Sequence, residues 1–131
     1  MGWIFWTILV AACVVWIYLK MRGELGEKEA VELLRGGAKV LDVRSAGEYS
    51  RGHLEGGINV PLGGLSEGLP GLIPDKDTVV LIHCLHGGRS AIAKARLKAL
   101  GYPNAHDIGS LERAKRILEK SGRDDAGSAR A

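Results

Sequence analysis

The chain has 131 residues, a formal net charge of +3 and two cysteines. That length holds one domain of ordinary size. The small positive charge, with no basic stripe and no interleaved aromatics, argues against nucleic acid as a partner. Cys13 and Cys84 lie in unlike segments, which argues against a disulfide between them, and no Cys/His spacing suits a zinc site.

Composition splits the chain in two. All three Trp and the only Phe lie within the first sixteen residues, and no Lys, Arg, Asp or Glu precedes Lys20. Trp3 to Leu19 is an apolar run with Thr7 its only clearly polar side chain. As a helix it spans ~25 Å, near the short end for crossing a bilayer. Trp3 and Trp6 mark one end and Trp16 and Tyr18 the other, the pattern of aromatic belts at two interfaces. Three readings compete: a membrane anchor, a cleaved signal and a lipoprotein signal. A cleaved signal needs a basic stretch before the run and a small-residue cleavage site after it, and neither is present. Val10-Ala11-Ala12-Cys13 hints at a lipoprotein signal, but the run stays apolar past Cys13. The anchor is the favoured reading, with Cys13 a small apolar filler. Lys20 and Arg22 beyond the run predict the N-terminus outside and the rest in the cytoplasm, at the inner membrane of the cell.

Residues 22–26 read as a linker. Glu27 to Arg35 has helical spacing of Ala30, Val31, Leu33 and Leu34, stopped by Gly36-Gly37. Val40 to Val43 is a short buried strand. Ser45 and Glu48 fit a capping box for a brief helix carrying Tyr49. Ile58 to Val60 is a second short strand, closed by Pro61. Leu62 to Pro74, rich in Gly and Pro, reads as loop. Thr78 to His83 is the central strand. Arg89 to Leu100 is a helix with Ala91, Ile92, Ala95 and Ala99 on its apolar face. Ala105 to Ile108 is a short strand. Leu111 to Lys120 is the last helix, with Ser110 as N-cap and Leu111, Ala114 and Leu118 on one face. Residues 121–131 read as a disordered tail. The expected organisation is thus an anchor with juxtamembrane basic residues at 1–22, one domain at 23–120 and the tail. Short apolar strands alternating with helices predict a three-layer α/β domain around a mainly parallel sheet.

In such sheets ligands bind outside the carboxyl ends of the strands, and Cys84 falls at one of them. A Gly-containing loop follows it, and Arg89 and Ser90 open a helix. Backbone amides and the dipole of a helix N-terminus favour an anion. They are expected to lower the thiol pKa and to hold an anionic substrate, which makes Cys84 a candidate nucleophile. A lone working thiol suits a reducing compartment.

Leu41-Asp42-Val43-Arg44, Glu48-Tyr49, Gly52-His53-Leu54, Gly56-Gly57-Ile58-Asn59-Val60-Pro61 and Cys84 to Ser90 follow one another in an order and spacing that resemble the rhodanese family. The likeness covers about Glu27 to Lys120. Gly57-Ile58 replaces the family's usual Gly-Ala, and Ile108-Gly109-Ser110 matches loosely. The resemblance implies the rhodanese-like fold and a thiosulfate-type sulfurtransferase. Cys84 would be the catalytic nucleophile and persulfide carrier, taking sulfane sulfur from a small anionic donor. The acceptor would be cyanide or another thiol, including a protein thiol. The amides of Leu85, His86, Gly87, Gly88, Arg89 and Ser90 would cradle the sulfur and leaving group, with Arg89 bonding sulfite or thiosulfate oxygens. No metal or organic cofactor is implied. Phosphatase and arsenate-reductase relatives place five residues between Cys and Arg. The four here, Leu85 to Gly88, suit a bound sulfur and crowd a phosphate.

Arg89 has the bland alternative of a solvated first-turn residue, but a cation at a helix N-terminus points to an anion. His86 reads equally as an exposed loop residue or a group tuning the thiol. His83 reads as a packing residue. Asp42 and Arg44 read as structural support of the pocket, with Arg44 paired to Glu48, and His53 and Asn59 as partners of loop backbone groups. The set Lys94, Arg96 and Lys98 reads as a solvated face. The rival class is a membrane-tethered rhodanese-like binding or regulatory module with little turnover. A third reading is a protein persulfide relay.

Overall fold

The computed structural model describes residues 1–21 and 23–122. Within helix α1 (Gly2–Met21), the Gly2–Leu19 window has no buried side chain and a mean hydropathy of 2.1. It is long and apolar enough to cross a membrane. The remaining elements are α2 (Glu27–Arg35), β1 (Lys39–Asp42), α3 (Ala46–Ser50), β2 (Ile58–Asn59), α4 (Leu65–Leu72), β3 (Val80–His83), α5 (Gly88–Ala99), β4 (Ala105–Gly109) and α6 (Leu111–Ser121).

The four strands form one sheet in the order β2-β1-β3-β4, and every pairing is parallel. Period-two alternation divides β1 and β3 between two apolar layers. Leu41, Val43, Val80, Ile82 and Cys84 face α4 and α5, where Leu65, Leu69, Ala93 and Leu97 complete a core. Val40 and Leu81 face α2 and α6, against Ala30, Leu34, Ala114 and Ile117. All four residues of β3 are buried, as expected of an interior strand covered on both faces.

Local signals explain most boundaries. The Ser45–Glu48 capping box forms in both directions. The Ser110 hydroxyl accepts from the Arg113 amide at 3.2 Å and starts α6. Two expectations fail. The Leu62–Pro74 segment is not a loop: a 3-10 turn at Leu62–Gly64 leads into α4. Leu65, Leu69 and Ile73 recur every four residues and are buried, so core contact outweighs the Gly content and Pro70. The face of α5 is also different. Ser90, Ala93 and Leu97 are buried, whereas Ile92 is 47% exposed and Ala95 and Ala99 face solvent. The helix is rotated because its first turn is fixed by Ser90, whose hydroxyl reaches the Gly87 carbonyl at 3.0 Å and the Gly109 carbonyl at 3.4 Å.

The linker is partly built into the domain. The Leu25 amide donates to the Asp107 carbonyl at 2.8 Å, and Arg113 donates to the Leu25 and Ile108 carbonyls. Ser121 and Gly122 end α6, with Gly122 in the left-handed conformation. The rest of the expected tail, and Arg22, lie outside the described residues.

Candidate active site

Cys84 follows β3 directly, and its amide donates to the Gly109 carbonyl at 3.1 Å. The chain then turns through Leu85 to Gly87 into α5. The turn is fixed from outside: the Leu111 amide donates to the Leu85 carbonyl at 3.2 Å, and His86 bridges to Ser110. Gly87 closes it at φ 102°, a conformation that L side chains rarely adopt. That φ aims the Gly87 amide back at the sulfur, which accepts its hydrogen at 2.9 Å. On the other side Sγ stands 3.6 Å from the Ser90 hydroxyl, which can accept the thiol hydrogen while donating its own to the Gly87 carbonyl. The sulfur therefore lies inside a turn of polar groups, at the start of a twelve-residue helix.

Cys84 is only 1% exposed. Beside the loop, at Leu85, lies an open depression of about 360 Å³, lined by Arg44, Glu48, Arg51, Gly52, Leu85 and Leu111. Leu85 is 37% exposed, and His86 and Gly88 face solvent.

The charges around this depression are arranged differently from the sequence expectation. Arg44 does not pair with Glu48. Its guanidinium grips Asp42, with Nη2 at 2.7 Å from Oδ2 and Nε at 3.0 Å from Oδ1, and also donates to the Gly52 carbonyl at 2.9 Å. Both partners are buried, and this pair raises the Arg44 pKa. Two-residue spacing across the strand end gives Arg44 this nearer, buried carboxylate, whose desolvation demands a partner. Glu48 is thereby left to Arg89, with Nη1–Oε1 at 2.6 Å and Nη2–Oε2 at 3.0 Å. This two-pronged bond, helped by the Ser45 amide, holds the Glu48 carboxyl at a pKa of about 2. Arg89, expected to await an anion, is occupied by a protein carboxylate.

His83, Asn59 and His53 behave as read. His83 is buried, with Nδ1 3.3 Å from the Cys84 carbonyl. Its Nε2 has no hydrogen-bond partner and lies 3.9 Å from Asp42 Oδ2. Burial, opposed in part by Asp42, lowers its pKa. Asn59 donates to the Asp42 and Arg44 carbonyls at 3.0 and 2.9 Å, and His53 meets the Tyr49 carbonyl and stacks on its ring. Of the supposed solvated face, Arg96 instead binds the Leu62 carbonyl at 3.0 Å.

Sequence reading missed Glu24. Its carboxylate, 3.5 Å from the Arg113 guanidinium, lies against Gly109 and Gly87. A Cβ on Gly109, at φ 87°, would stand 2.5 Å from Glu24 Oε1. The signal available was the Gly109-Ser110 pair at the end of β4, which marks a close approach of chain segments. Among the described residues no cluster of His, Cys, Asp and Glu could hold a metal ion.

Known proteins resemble this chain in sequence and in fold. The chain is 35% identical over 72 residues to thiosulfate sulfurtransferase PspE of Escherichia coli, covering 55% of this chain and 69% of that protein. It is 33% identical over 91 residues to thiosulfate sulfurtransferase 16 of Arabidopsis thaliana, covering 60% and 74%. Among solved structures, a rhodanese with anions from E. coli superimposes with a TM-score of 0.56 at 32% identity, covering 59% of this chain and 91% of that one. A human single-domain sulfurtransferase shares the fold, with a TM-score of 0.61 at 24% identity, covering 71% and 95%. Residues 27–114 match the rhodanese-like domain as a family, which joins the parallel sheet, the Cys84 turn and the sulfurtransferase relatives in one conclusion: this chain belongs to the rhodanese-like family.

Proposed function

We propose that this protein is a thiosulfate-type sulfurtransferase in which Cys84 carries the sulfur. The Cys84 thiolate attacks the outer sulfur of thiosulfate. The S–S bond of the donor breaks, a Cys84 persulfide forms, and sulfite leaves with the bonding electron pair. A thiolate or cyanide then attacks the outer persulfide sulfur, taking it as a persulfide or thiocyanate and returning the Cys84 thiolate. The observation that carries this reading is the Gly87 amide directed at Sγ at 2.9 Å, within a turn of four residues between Cys84 and Arg89. A fixed amide donor stabilises negative charge on sulfur without reorganising when the charge appears. The Ser90 hydroxyl lines the other side of the sulfur, and at the mouth the Arg89 guanidinium is available to an anion that displaces Glu48.

With Cys84 1% exposed, the depression beside Leu85 is where an outer sulfur would meet its partners. Asp42 and Arg44 support that depression, and no metal or organic cofactor enters the reaction. The α1 helix serves as a membrane anchor through Trp3 to Leu19, and Lys20 and Arg22 beyond it favour a domain facing the cytoplasm.

The test is intact mass after incubation with thiosulfate. The wild-type chain should gain one sulfur atom and lose it on adding cyanide, and Cys84→Ser should gain none. An adduct formed only with a persulfide donor would turn the reading toward a relay between proteins. No adduct with either donor refutes sulfur transfer.

A further inference from the structure

The short connection between α1 and the domain fixes which side of the domain lies toward the membrane. Helix α1 ends at Met21, and the Leu25 amide is already bonded to Asp107 of β4. Between them Glu24 lies against Gly87 and Gly109, the two glycines that frame the Cys84 turn. Three residues of chain reach at most ~11 Å. The turn thus stands within that reach, plus one glutamate side chain, of the end of α1. A domain of this size has a radius of gyration of about 13 Å. The carboxyl edge of the sheet must then occupy the pole nearest the end of α1, and the amino edge, near Lys76 and Asp77, the far pole.

We propose that the edge carrying Cys84 faces the bilayer and that its partner there is the anionic lipid headgroup layer. This rests on the reading of α1 as an anchor. The surface at that pole has the chemistry for such a layer. Arg51 is exposed and makes no ion pair among the described residues, and exposed Leu85 and part-buried Leu111 stand beside it. The carboxylates of Glu48 and Glu24 are matched by Arg89 and Arg113, and exposed Glu112, which follows Leu111, does not line the depression as Arg51 does. The free Arg51 charge favours anionic lipid, and the two leucines can enter the interfacial zone, on the order of 6 Å deep. Sulfur would then be exchanged at the membrane surface.

The experiment uses the full chain with Cys13→Ser and Cys84→Ser, reconstituted in phosphatidylcholine vesicles containing phosphatidylglycerol. A fluorophore is attached at Ser50→Cys, beside Arg51, or at Lys76→Cys, at the opposite pole, and is quenched by headgroup-labelled lipid. Flotation with the vesicles reports insertion. The inference expects flotation, with several-fold stronger quenching at position 50 than at 76. Adding Arg51→Glu should weaken quenching at position 50, and more so in vesicles with phosphatidylglycerol than without. Flotation with equal or reversed quenching overturns the inference and leaves the anchor standing. Quenching unchanged by Arg51→Glu overturns the lipid contact. Failure to float removes both the anchor and the inference.

Discussion

Arg89 and Glu48 meet as a two-pronged ion pair at the mouth of the Cys84 turn, with N–O distances of 2.6 and 3.0 Å. Any anion that approaches the turn competes with this carboxylate for the guanidinium. Glu48→Gln removes the competing charge. Gln can still complete the capping box with Ser45, so α3 keeps its start. The KM for thiosulfate should fall several-fold in Glu48→Gln, with kcat little changed. Arg89→Gln should raise KM instead, by about tenfold for the loss of one charge-assisted contact. Steady-state kinetics on the detergent-solubilised chain reads both.

The same pair gives the fold an acid limit. Glu48 stays ionised in the folded protein down to about pH 2, whereas its ordinary pKa is 4.5. Its stabilisation is full above pH 4.5 and is lost as pH falls from there toward 2, because the unfolded chain takes up the proton first. Denaturant unfolding across that range should show wild type losing its advantage over Glu48→Gln. A difference between the two proteins that is independent of pH would show that the pair does not couple to folding.

His83 acts in a higher range. Burial lowers the pKa of its imidazole, whereas the unfolded chain protonates near the ordinary value of 6.5. Stability should therefore decline as pH drops below 6.5. His83→Leu, which also removes the unpartnered Nε2, should flatten that decline. Half-buried His106 has its pKa lowered by burial and by Lys98 and Lys94, so a slope of the same sign persists in both proteins. The pH dependence of the urea midpoint measures the difference.

Gly87 and Gly88 are neighbours with opposite tolerance. Gly87 sits at φ 102°, where an L side chain costs roughly 1–2 kcal/mol. Gly88 begins α5 with no positive φ, and a Cβ there meets nothing within 4 Å. Gly87→Ala should destabilise the chain by about 1–2 kcal/mol. It should also slow sulfur loading at least tenfold as the amide leaves Sγ, a loss of roughly 1.4 kcal/mol in the transition state. Gly88→Ala should retain the fold and loading within about twofold. Urea unfolding and the rate of the mass gain report the two effects separately.

Much of this protein was legible in the chain itself. The apolar run of α1, the Ser45 capping box, the Ser110 N-cap, the parallel sheet and the strand–Cys–loop–helix order all follow from local patterns. Periodicity and short-range hydrogen bonding act between residues a few positions apart, so sequence alone determines them. Tertiary structure decided what depends on distant segments. Leu65, Leu69 and Ile73 became a helix because a core was waiting for them. The face of α5 was set by Ser90 reaching the Gly109 carbonyl. Arg44 chose Asp42, which left Glu48 for Arg89, forty-one residues away. Glu24 came to rest on Gly109 only once β4 and α6 were in place. Such partners are selected by burial and by the cost of leaving a desolvated charge unpaired, and those forces exist only when the chain has closed on itself.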